Sequence, residues 1–460
     1  MPFHKYSLLG LIIAALLLVG VTGRPGTAAA DTTVYTTYLP SMVAQTQTIF
    51  GMDATSLTPE RGLDGLVASG ASWVRAGNLL WRDVEPVEGG EYHWDAPNVQ
   101  IVEQEMLTAS TRGLKLVLVI RGSPTWATAP YQADCAPINP AKYARFAAFL
   151  AAAVDRYSKP PYNVAFWEIG NEPDAPIFPV DSGYGCWGVT SDPYYGGRAY
   201  GALLKAIYPV MKAHAAQISI LNGGLLLDEP YNAHTGSGRM ARFLEGMFVA
   251  GAGASFDILS FHSYSFYNDT VDGSRGATDW KVPYLRALMD RYHVPRKPML
   301  NTEAALLCTI STPACSEAQA NAIGRFYIRA IADGLLGHLW YVYDSDEFNH
   351  TALVEPADVS VQRPIYQAYR QVAARLTGAR LLGPLTGQAT GIEGYRFASG
   401  VRTITAFWSD SEQIARIPAQ PGAEVTCADR GGEPIVCANT EGVVQLVTRP
   451  GPQFVIERDE

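Results

Sequence analysis

The sequence predicts an α/β fold, a (β/α)8 TIM barrel followed by a small C-terminal all-β, sandwich-like domain. Three observations carry this. The 460 residues exceed one ordinary core but suit a barrel of about 250 to 350 residues plus one small domain. Short apolar runs alternate with helical patterns eight times, and beyond Leu376 the chain changes to short strand-like pieces between Gly, Pro and Asp turns. A hydrophobic fraction of 48% with 17% charged residues provides a large core and excludes a disordered or fibrous chain.

The first thirty residues read as a secretory signal peptide. His4 and Lys5 precede an apolar run from Leu8 to Val21, and Ala28, Ala29 and Ala30 offer small residues for cleavage before Asp31. The run is short for a spanning helix, so no stable membrane insertion is expected after cleavage. Lys5 and Arg24 leave with the leader, giving a net charge of −11 from 33 basic and 44 acidic residues. Such an acidic surface argues against nucleic acid as a partner. The protein is expected to be secreted, either extracellular or associated with the cell surface; no feature of the chain fixes an oligomeric state.

Residues 31–47 form a polar, extended-looking segment around Tyr35 that could add a strand to the β-domain. The barrel is expected over 48–377. Its strands are read at Ile49 to Met52, Trp73 to Ala76, Leu114 to Ile120, Val164 to Ile169, Ile218 to Leu221, Phe256 to Phe261, Pro298 to Asn301 and His338 to Val342. Helical patterns occupy Pro97 to Arg112, Ala141 to Tyr157, Ala199 to Ala215, Met240 to Ala250, Pro283 to Tyr292, Glu317 to Ala332 and Ile365 to Leu376, with a weaker first crossover at Leu57 to Gly70. No glycine-rich phosphate fingerprint follows the first strand, which disfavours an open dinucleotide-binding sheet. The β-domain, 378–460, is read from Gly394 to Phe397, Arg402 to Trp408, Gln413 to Ile417, Val443 to Val447 and Gln453 to Ile456.

Six cysteines lie in the exported part, where thiols are usually oxidised. Fifteen pairings are open in principle. Local clips at Cys308 with Cys315 and Cys427 with Cys437 leave Cys135 with Cys186, a bridge between the loops after strands three and four. No Cys-x-x-Cys or His-x3-His pair accompanies them, so no metal site is expected.

In such a barrel the reactive groups gather where strands end, because those ends converge on one mouth. The fourth strand ends in Asn171-Glu172-Pro173, and the proline stops the ladder, leaving Glu172 at the rim. The seventh runs into Asn301-Thr302-Glu303. Two carboxylates from opposite sides of one mouth are what cleavage of a glycosidic bond requires, with about 5 to 5.5 Å between them for retention and roughly 6.5 to 9.5 Å for inversion. Glu168 lies inside its strand and reads as a buried partner for an arginine, with Arg75 the candidate. Neither His-Glu-x-x-His nor Gly-x-Ser-x-Gly occurs, and no cofactor is expected.

The chain resembles glycoside hydrolase clan A over most of Phe50 to Gly378. The matching residues are Trp167 through Pro173, Asn301-Thr302-Glu303, Trp73-Val74-Arg75, Phe261-His262-Ser263-Tyr264 and Trp340. The first of these runs and the appended β-domain are most similar to families 39 and 5 and their relatives, although Gly170 stands where a bulky aromatic often precedes Asn-Glu-Pro. The resemblance implies a retaining enzyme on a carbohydrate substrate, with Glu172 as acid/base and Glu303 as nucleophile. It also implies that Asn171 binds the sugar 2-hydroxyl, Arg75 keeps Glu303 ionised, His262 or Tyr264 touches nucleophile or sugar, and Trp340 forms a stacking floor. Trp126 and the aromatics after strand four, Phe178, Tyr184, Trp187, Tyr194 and Tyr195, are placed either to form sugar subsites or to pack on one another. The competing readings are a barrel that binds carbohydrate without turnover and a transglycosidase using the same two glutamates.

Overall fold

The computed structural model describes residues 48–128, 130–131, 133–176, 186–227, 238–267 and 277–458. The leader and the 31–47 segment lie outside them. Eight parallel strands form one sheet: β1 Phe50–Asp53, β2 Trp73–Leu80, β3 Lys115–Arg121, β4 Phe166–Ile169, β5 Ser219–Leu221, β6 Leu259–Phe266, β7 Met299–Leu307 and β8 Gly337–Trp340. Their order is β5-β4-β3-β2-β1-β8-β7-β6. Parallel bridges from Leu221 to Ile258 and from Leu225 to Phe261 join β5 to β6 and close the barrel.

The helices are α1 Leu63–Ala68, α2 Trp81–Val84, α3 Pro97–Arg112, α4 Tyr143–Tyr157, α5 Gly197–His214, α6 Ala241–Val249, α7 Ala277–Arg291, α8 Pro313–Ala332 and α9 Pro364–Leu376. Their limits follow local chemistry. Proline opens α3, whose missing N–H costs nothing at that position, and Gly113 closes it at φ +69°. Thr312 caps α8 by accepting from the Cys315 amide at 3.1 Å. Among the described residues no helix is long and apolar enough to cross a membrane.

Two layers fill the barrel. The lower one is dry: Trp73, Val117, Leu221, Ile258, Leu300 and Leu339 pack together, with Phe166 and Leu336 against them. Gly51 belongs to this layer because a Cβ there would stand 2.6 Å from the Trp73 Cβ. The upper layer is polar and holds the site. Here β7 departs from the expected strand, continuing past Asn301 to Leu307, so Glu303 lies in mid-strand. The register of β6 on β7 jumps from Phe261 opposite Asn301 to His262 opposite Glu303. Such a bulge re-aims a side chain, and it lets both Thr302 and Glu303 reach the barrel interior.

After β8 a hairpin, β9 Val354–Glu355 and β10 Asp358–Gln362, leads into α9. The rest is all β: β11 Arg380–Pro384, β12 Glu393–Ser399, β13 Arg402–Trp408, β14 Ile414–Pro418, β15 Val425–Ala428, β16 Pro434–Ile435, β17 Asn439–Thr440, β18 Val443–Val447 and β19 Gln453–Arg458. A six-stranded sheet, β11-β12-β13-β19-β15-β16, faces a three-stranded one, β14-β18-β17, across Phe407, Ile417, Val444, Leu446 and Val455. All three anticipated disulfides form, with Cα separations of 5.2 Å for Cys135–Cys186 and 6.1 Å for Cys308–Cys315 and Cys427–Cys437.

Helix α8 carries the β-domain. Arg325 donates from Nε to the Pro450 carbonyl at 2.6 Å and from Nη2 to Asp410 at 2.7 Å. Arg329 forks onto Glu393 at 2.8 and 2.6 Å, and both guanidinium groups lie within 6 Å of the Trp408 ring, at 5.8 and 5.5 Å. Arg325 is almost fully buried and the Pro450 end of its contact partly so, whereas Asp410 is exposed. Arg325→Ala should cost about 1 to 3 kcal/mol, read as a lowered urea midpoint; an unchanged midpoint would show that Arg329 and the apolar contacts suffice to hold the domain.

Candidate active site

Arg75, on β2, occupies the centre of the upper layer with only 6% exposure. Nε donates to Glu168 at 2.8 Å, Nη1 to both Glu303 at 2.5 Å and Asp53 at 3.1 Å, and Nη2 to the Asn171 amide oxygen at 2.6 Å. Four strands are thereby tied to one planar cation. Glu168 also accepts from the Thr302 hydroxyl at 3.0 Å, so it is the arginine's buried partner within the barrel.

At the end of β4 the chain turns through two left-handed residues, Gly170 at φ +79° and Glu172 at φ +49°. Glycine takes the first without cost, which accounts for its place before Asn-Glu-Pro. The second is uncommon for a side-chain-bearing residue, and neighbours hold it. The Glu172 amide donates to the Gly223 carbonyl at 2.9 Å. Asp174, fully buried, accepts from the Leu226 and Leu227 amides at 2.9 Å each, and Lys281 of α7 donates to the His262 carbonyl at 2.6 Å and to that of Leu226.

Glu172 then faces β6 and β7. Its Oε1 lies 2.7 Å from His262 Nδ1, which is 3.4 Å from Glu303 Oε2. Tyr264 donates its hydroxyl to that same Glu303 oxygen. Oxygens of Glu172 and Glu303 lie within 4.8 Å of one another and of the imidazole nitrogen. Among the described residues this trio is the one group of ligand-type side chains close enough to share an ion. The second Glu172 oxygen is buried without a protein partner, as is His262 Nε2. That nitrogen sits against Gly224, where a Cβ would come within 2.3 Å of it.

The electrostatics differ between the two glutamates. Burial first, then the charges of Glu303 and Asp174, push Glu172 well above the ordinary carboxylate range. Burial also raises Glu303, but Arg75 and the Tyr264 hydroxyl oppose it. Asp53 is raised well above its usual value, chiefly by burial, and Asp174 is pushed up to about 6 by the same cause. His262 is driven well down by burial, with Arg75 and Lys281 adding to it, so its ring is neutral. One acid that keeps its proton therefore stands opposite one that gives it up more readily.

Both face an open cleft of roughly 270 Å³, lined by Asp53, Asn78, Arg121, Tyr341 and Phe348 besides Arg75, Asn171 and Tyr264. Arg75, Asn171, Glu172, His262, Tyr264 and Glu303 thus converge as the sequence suggested. Trp340 does not. It is wholly buried, its indole donating to the Thr351 carbonyl at 2.9 Å and its ring 5.9 Å from Phe326. The next residue, Tyr341, presents the aromatic surface instead, edge-on to Tyr264 and Phe348. Trp126 packs on Trp81 at 5.0 Å. Trp187 packs on Tyr200 at 5.2 Å and lines an adjoining pocket with Arg121, Asn171 and Cys135. Tyr194 lies between Arg198 and Arg242, and Tyr195 is buried; Phe178 and Tyr184 fall outside the described residues. Asp53 and Arg121 escaped the sequence reading, although each ends a strand and the rule that strand ends converge would have found them.

No protein-family model and no curated protein matches the chain. Solved structures share its fold. A family 39 glycoside hydrolase from the gut symbiont Bacteroides cellulosilyticus aligns with TM-score 0.68 and 20% identity, over 88% of this chain and 80% of that one. A family 30 endoxylanase from Clostridium papyrosolvens aligns with TM-score 0.59 and 11% identity, over 90% and 97%. A family 39 β-xylosidase from Caulobacter crescentus gives TM-score 0.57 and 14% identity, again over 90% and 97%. At these identities the likeness is one of fold, a (β/α)8 barrel carrying a β-domain.

Removing the central cation should destabilise the protein in a pH-dependent way. Without Arg75 the folded-state pKa values of Asp53 and Glu303, already raised, climb further. Groups raised on folding contribute their full stability below the unfolded value near 4 and lose it as pH rises through the folded value. Arg75→Met should therefore cost about 3 to 5 kcal/mol near neutrality and less at pH ~5 in urea unfolding; an equal deficit at both would refute the charge argument. Asp174→Asn removes a negative neighbour, so a carboxyl NMR titration should find the Glu172 pKa lowered.

Proposed function

We propose that the chain is an exported, retaining glycoside hydrolase acting on β-linked oligo- or polysaccharide, with Glu172 as general acid/base and Glu303 as nucleophile. The observation that carries this reading is the carboxylate pair, whose oxygens approach within 4.8 Å across the barrel mouth. So near an approach favours the close pairing of a retaining enzyme over the wider one that an inverting pair keeps for its water. The barrel shared with family 39 and family 30 enzymes is consistent with it, and three disulfides suit an oxidising compartment.

The geometry divides the labour. Glu172 donates its proton to the leaving glycosidic oxygen through its unpartnered oxygen while Glu303 bonds to the anomeric carbon and the old C–O bond breaks. Tyr264 and Arg75 orient Glu303 and hold the charge that it brings to the attack. Arg75 occupies the Asn171 amide oxygen, which turns the Asn171 NH2 group towards the sugar 2-hydroxyl. Esterification discharges Glu303, and one cause of the raised Glu172 pKa disappears. Glu172, left as a carboxylate by its donation, takes a proton from water, the water oxygen bonds to the anomeric carbon, and the ester bond to Glu303 breaks. His262, being neutral, steadies Glu172 in both states.

Activity requires Glu172 protonated and Glu303 ionised, so kcat/KM should be bell-shaped, with Glu303 on the acidic limb and Glu172 on the basic one. On aryl β-glycosides and β-linked polysaccharides, Glu172→Gln should lower kcat by about 10²- to 10⁴-fold, with smaller losses for good leaving groups, and Glu303→Gln should abolish turnover. Proton NMR of the first-formed product should find the β-anomer. The α-anomer would overturn retention, and binding without turnover across the panel would favour a carbohydrate-binding barrel.

A further inference from the structure

Behind the wall that Phe348 gives the catalytic cleft lies a second pocket, for which the two-glutamate cycle has no use. It is a recess of roughly 400 Å³ between the chain leaving β7 and the segment that runs from β8 into α9. His350 lines it, two residues along the loop from Phe348. The recess is braced on several sides. A disulfide ties Cys308, which lines it, to Cys315 of α8, and the Cys308 amide donates to the Asn349 carbonyl at 3.0 Å. The Gln319 amide nitrogen bridges the Leu306 and His350 carbonyls at 2.9 and 3.0 Å. A pocket held in this way is formed before a ligand arrives, which lowers the ordering cost of binding.

The polar groups left to this pocket are neutral. Gln319 is only 4% exposed, and both of its hydrogen bonds leave from the nitrogen. Its amide oxygen is therefore left to the pocket, with no donor among the described residues to meet it, and a buried acceptor calls for a partner. Gln362 is disposed the opposite way: its oxygen accepts from Gln367 at 2.6 Å, which leaves its NH2 group to donate. Ser311 and Ser316 add hydroxyls that can do both, and Pro313 and Pro364 add apolar rings. The charged members are committed to one another, since Arg363 donates from every nitrogen to Asp346 and Glu355 at 2.6 to 2.9 Å. The start of α8 offers little to an anion, because Pro313 has no N–H and Thr312 meets the Cys315 and Ser316 amides.

Neutral donors, neutral acceptors and apolar rings side by side match a saccharide, whose surface alternates hydroxyls with C–H faces. We propose that this pocket is a second carbohydrate site, outside the catalytic cleft, which binds a neutral glycosyl unit through Gln319, Gln362 and Ser316. The unit belongs either to a distant part of the chain being cleaved or to a separate saccharide. The choice of ligand class rests on the glycosidase reading; the pocket and its unmet amide oxygen do not.

The test is calorimetry with neutral β-linked gluco-, xylo- and manno-oligosaccharides, from disaccharides upwards. It compares wild type with Ser316→Trp, which fills the pocket, and Gln362→Ala, which removes a donor from its rim; matched melting temperatures confirm folding. Wild type should bind at the cleft and at the pocket, and Ser316→Trp should lose the pocket site alone. Gln362→Ala should weaken that site by roughly 5- to 10-fold. Kinetics separate the two sources of the ligand. Where the bound unit belongs to the substrate, Ser316→Trp should raise KM on polysaccharide by roughly 5- to 10-fold, with kcat and the hydrolysis of aryl glycosides unchanged; a lost site with KM unchanged identifies a separate saccharide. Sugar binding by folded Ser316→Trp equal in affinity and stoichiometry to that of wild type would overturn the proposal, and so would a wild type that binds none of these sugars. Should no glycoside turn over, the hydrolase reading fails by itself, because the calorimetry still decides whether filling the pocket removes a binding site.

Discussion

A single buried guanidinium organises the upper half of this barrel. Taking an arginine out of water is costly unless its donors are met, and each Arg75 nitrogen donates, to Asp53, Glu168, Asn171 and Glu303. The dependence runs both ways. Without the cation the acids would have to hold protons or leave the interior, and without the acids the cation would not tolerate burial. Because the partners come from β1, β4 and β7, satisfying one side chain fixes the relative positions of three other strands. The dry layer around Trp73 and Leu300 supports this arrangement from below, so the polar layer rests on packing that leaves little freedom to shift.

The same network separates the two glutamates. Both are buried, and burial alone would raise both. Arg75 and Tyr264 contact Glu303 directly and offset the rise. Glu172 receives no cation at bonding distance; its near neighbours are a neutral imidazole and the negative charges of Glu303 and Asp174. The difference in proton affinity therefore follows from which carboxylate the guanidinium reaches. It requires no difference in exposure, since Glu172 is 3% and Glu303 6% exposed.

Much of the barrel was legible because its signal is periodic. Eight apolar runs separated by helical patterns survive errors of a few residues at each end, and Glu172 was placed at the mouth because β4 ends just before it, whereas Glu303 was placed by a strand end that lies four residues farther on, at Leu307. What was missed depended on register. The extra residue that β7 carries between Asn301 and Glu303, and the continuation of that strand to Leu307, leave no mark in the run Asn301-Thr302-Glu303-Ala304-Ala305. The choice of Tyr341 over Trp340 for the cleft turns on which of two adjacent aromatics faces inward, and a one-residue slip reverses that. In the β-domain, β11 and β15 went unread because Arg380–Pro384 and Val425–Ala428 are short and only partly buried. The disulfides, by contrast, followed from proximity in sequence and the loops left over.

The weakest seam of the barrel is also the one across which Glu172 meets His262. Between β5 and β6 the described backbone makes only two isolated bridges, and side chains replace the missing ladder. Asn222 exchanges two hydrogen bonds with the Ser260 backbone, at 3.2 and 2.7 Å, and the Ser260 hydroxyl accepts from the Gly224 amide at 2.8 Å. Asp174 ties the Leu226 and Leu227 amides back to β4, while Lys281 spans Leu226 and His262. A regular ladder would have fixed the strands but not the left-handed turn at Glu172. The side-chain stitching fixes both, because Gly223, which accepts the Glu172 amide, lies within the stitched segment. The seam that closes the barrel and the turn that aims the acid are thus one construction, and a change that loosens one loosens the other.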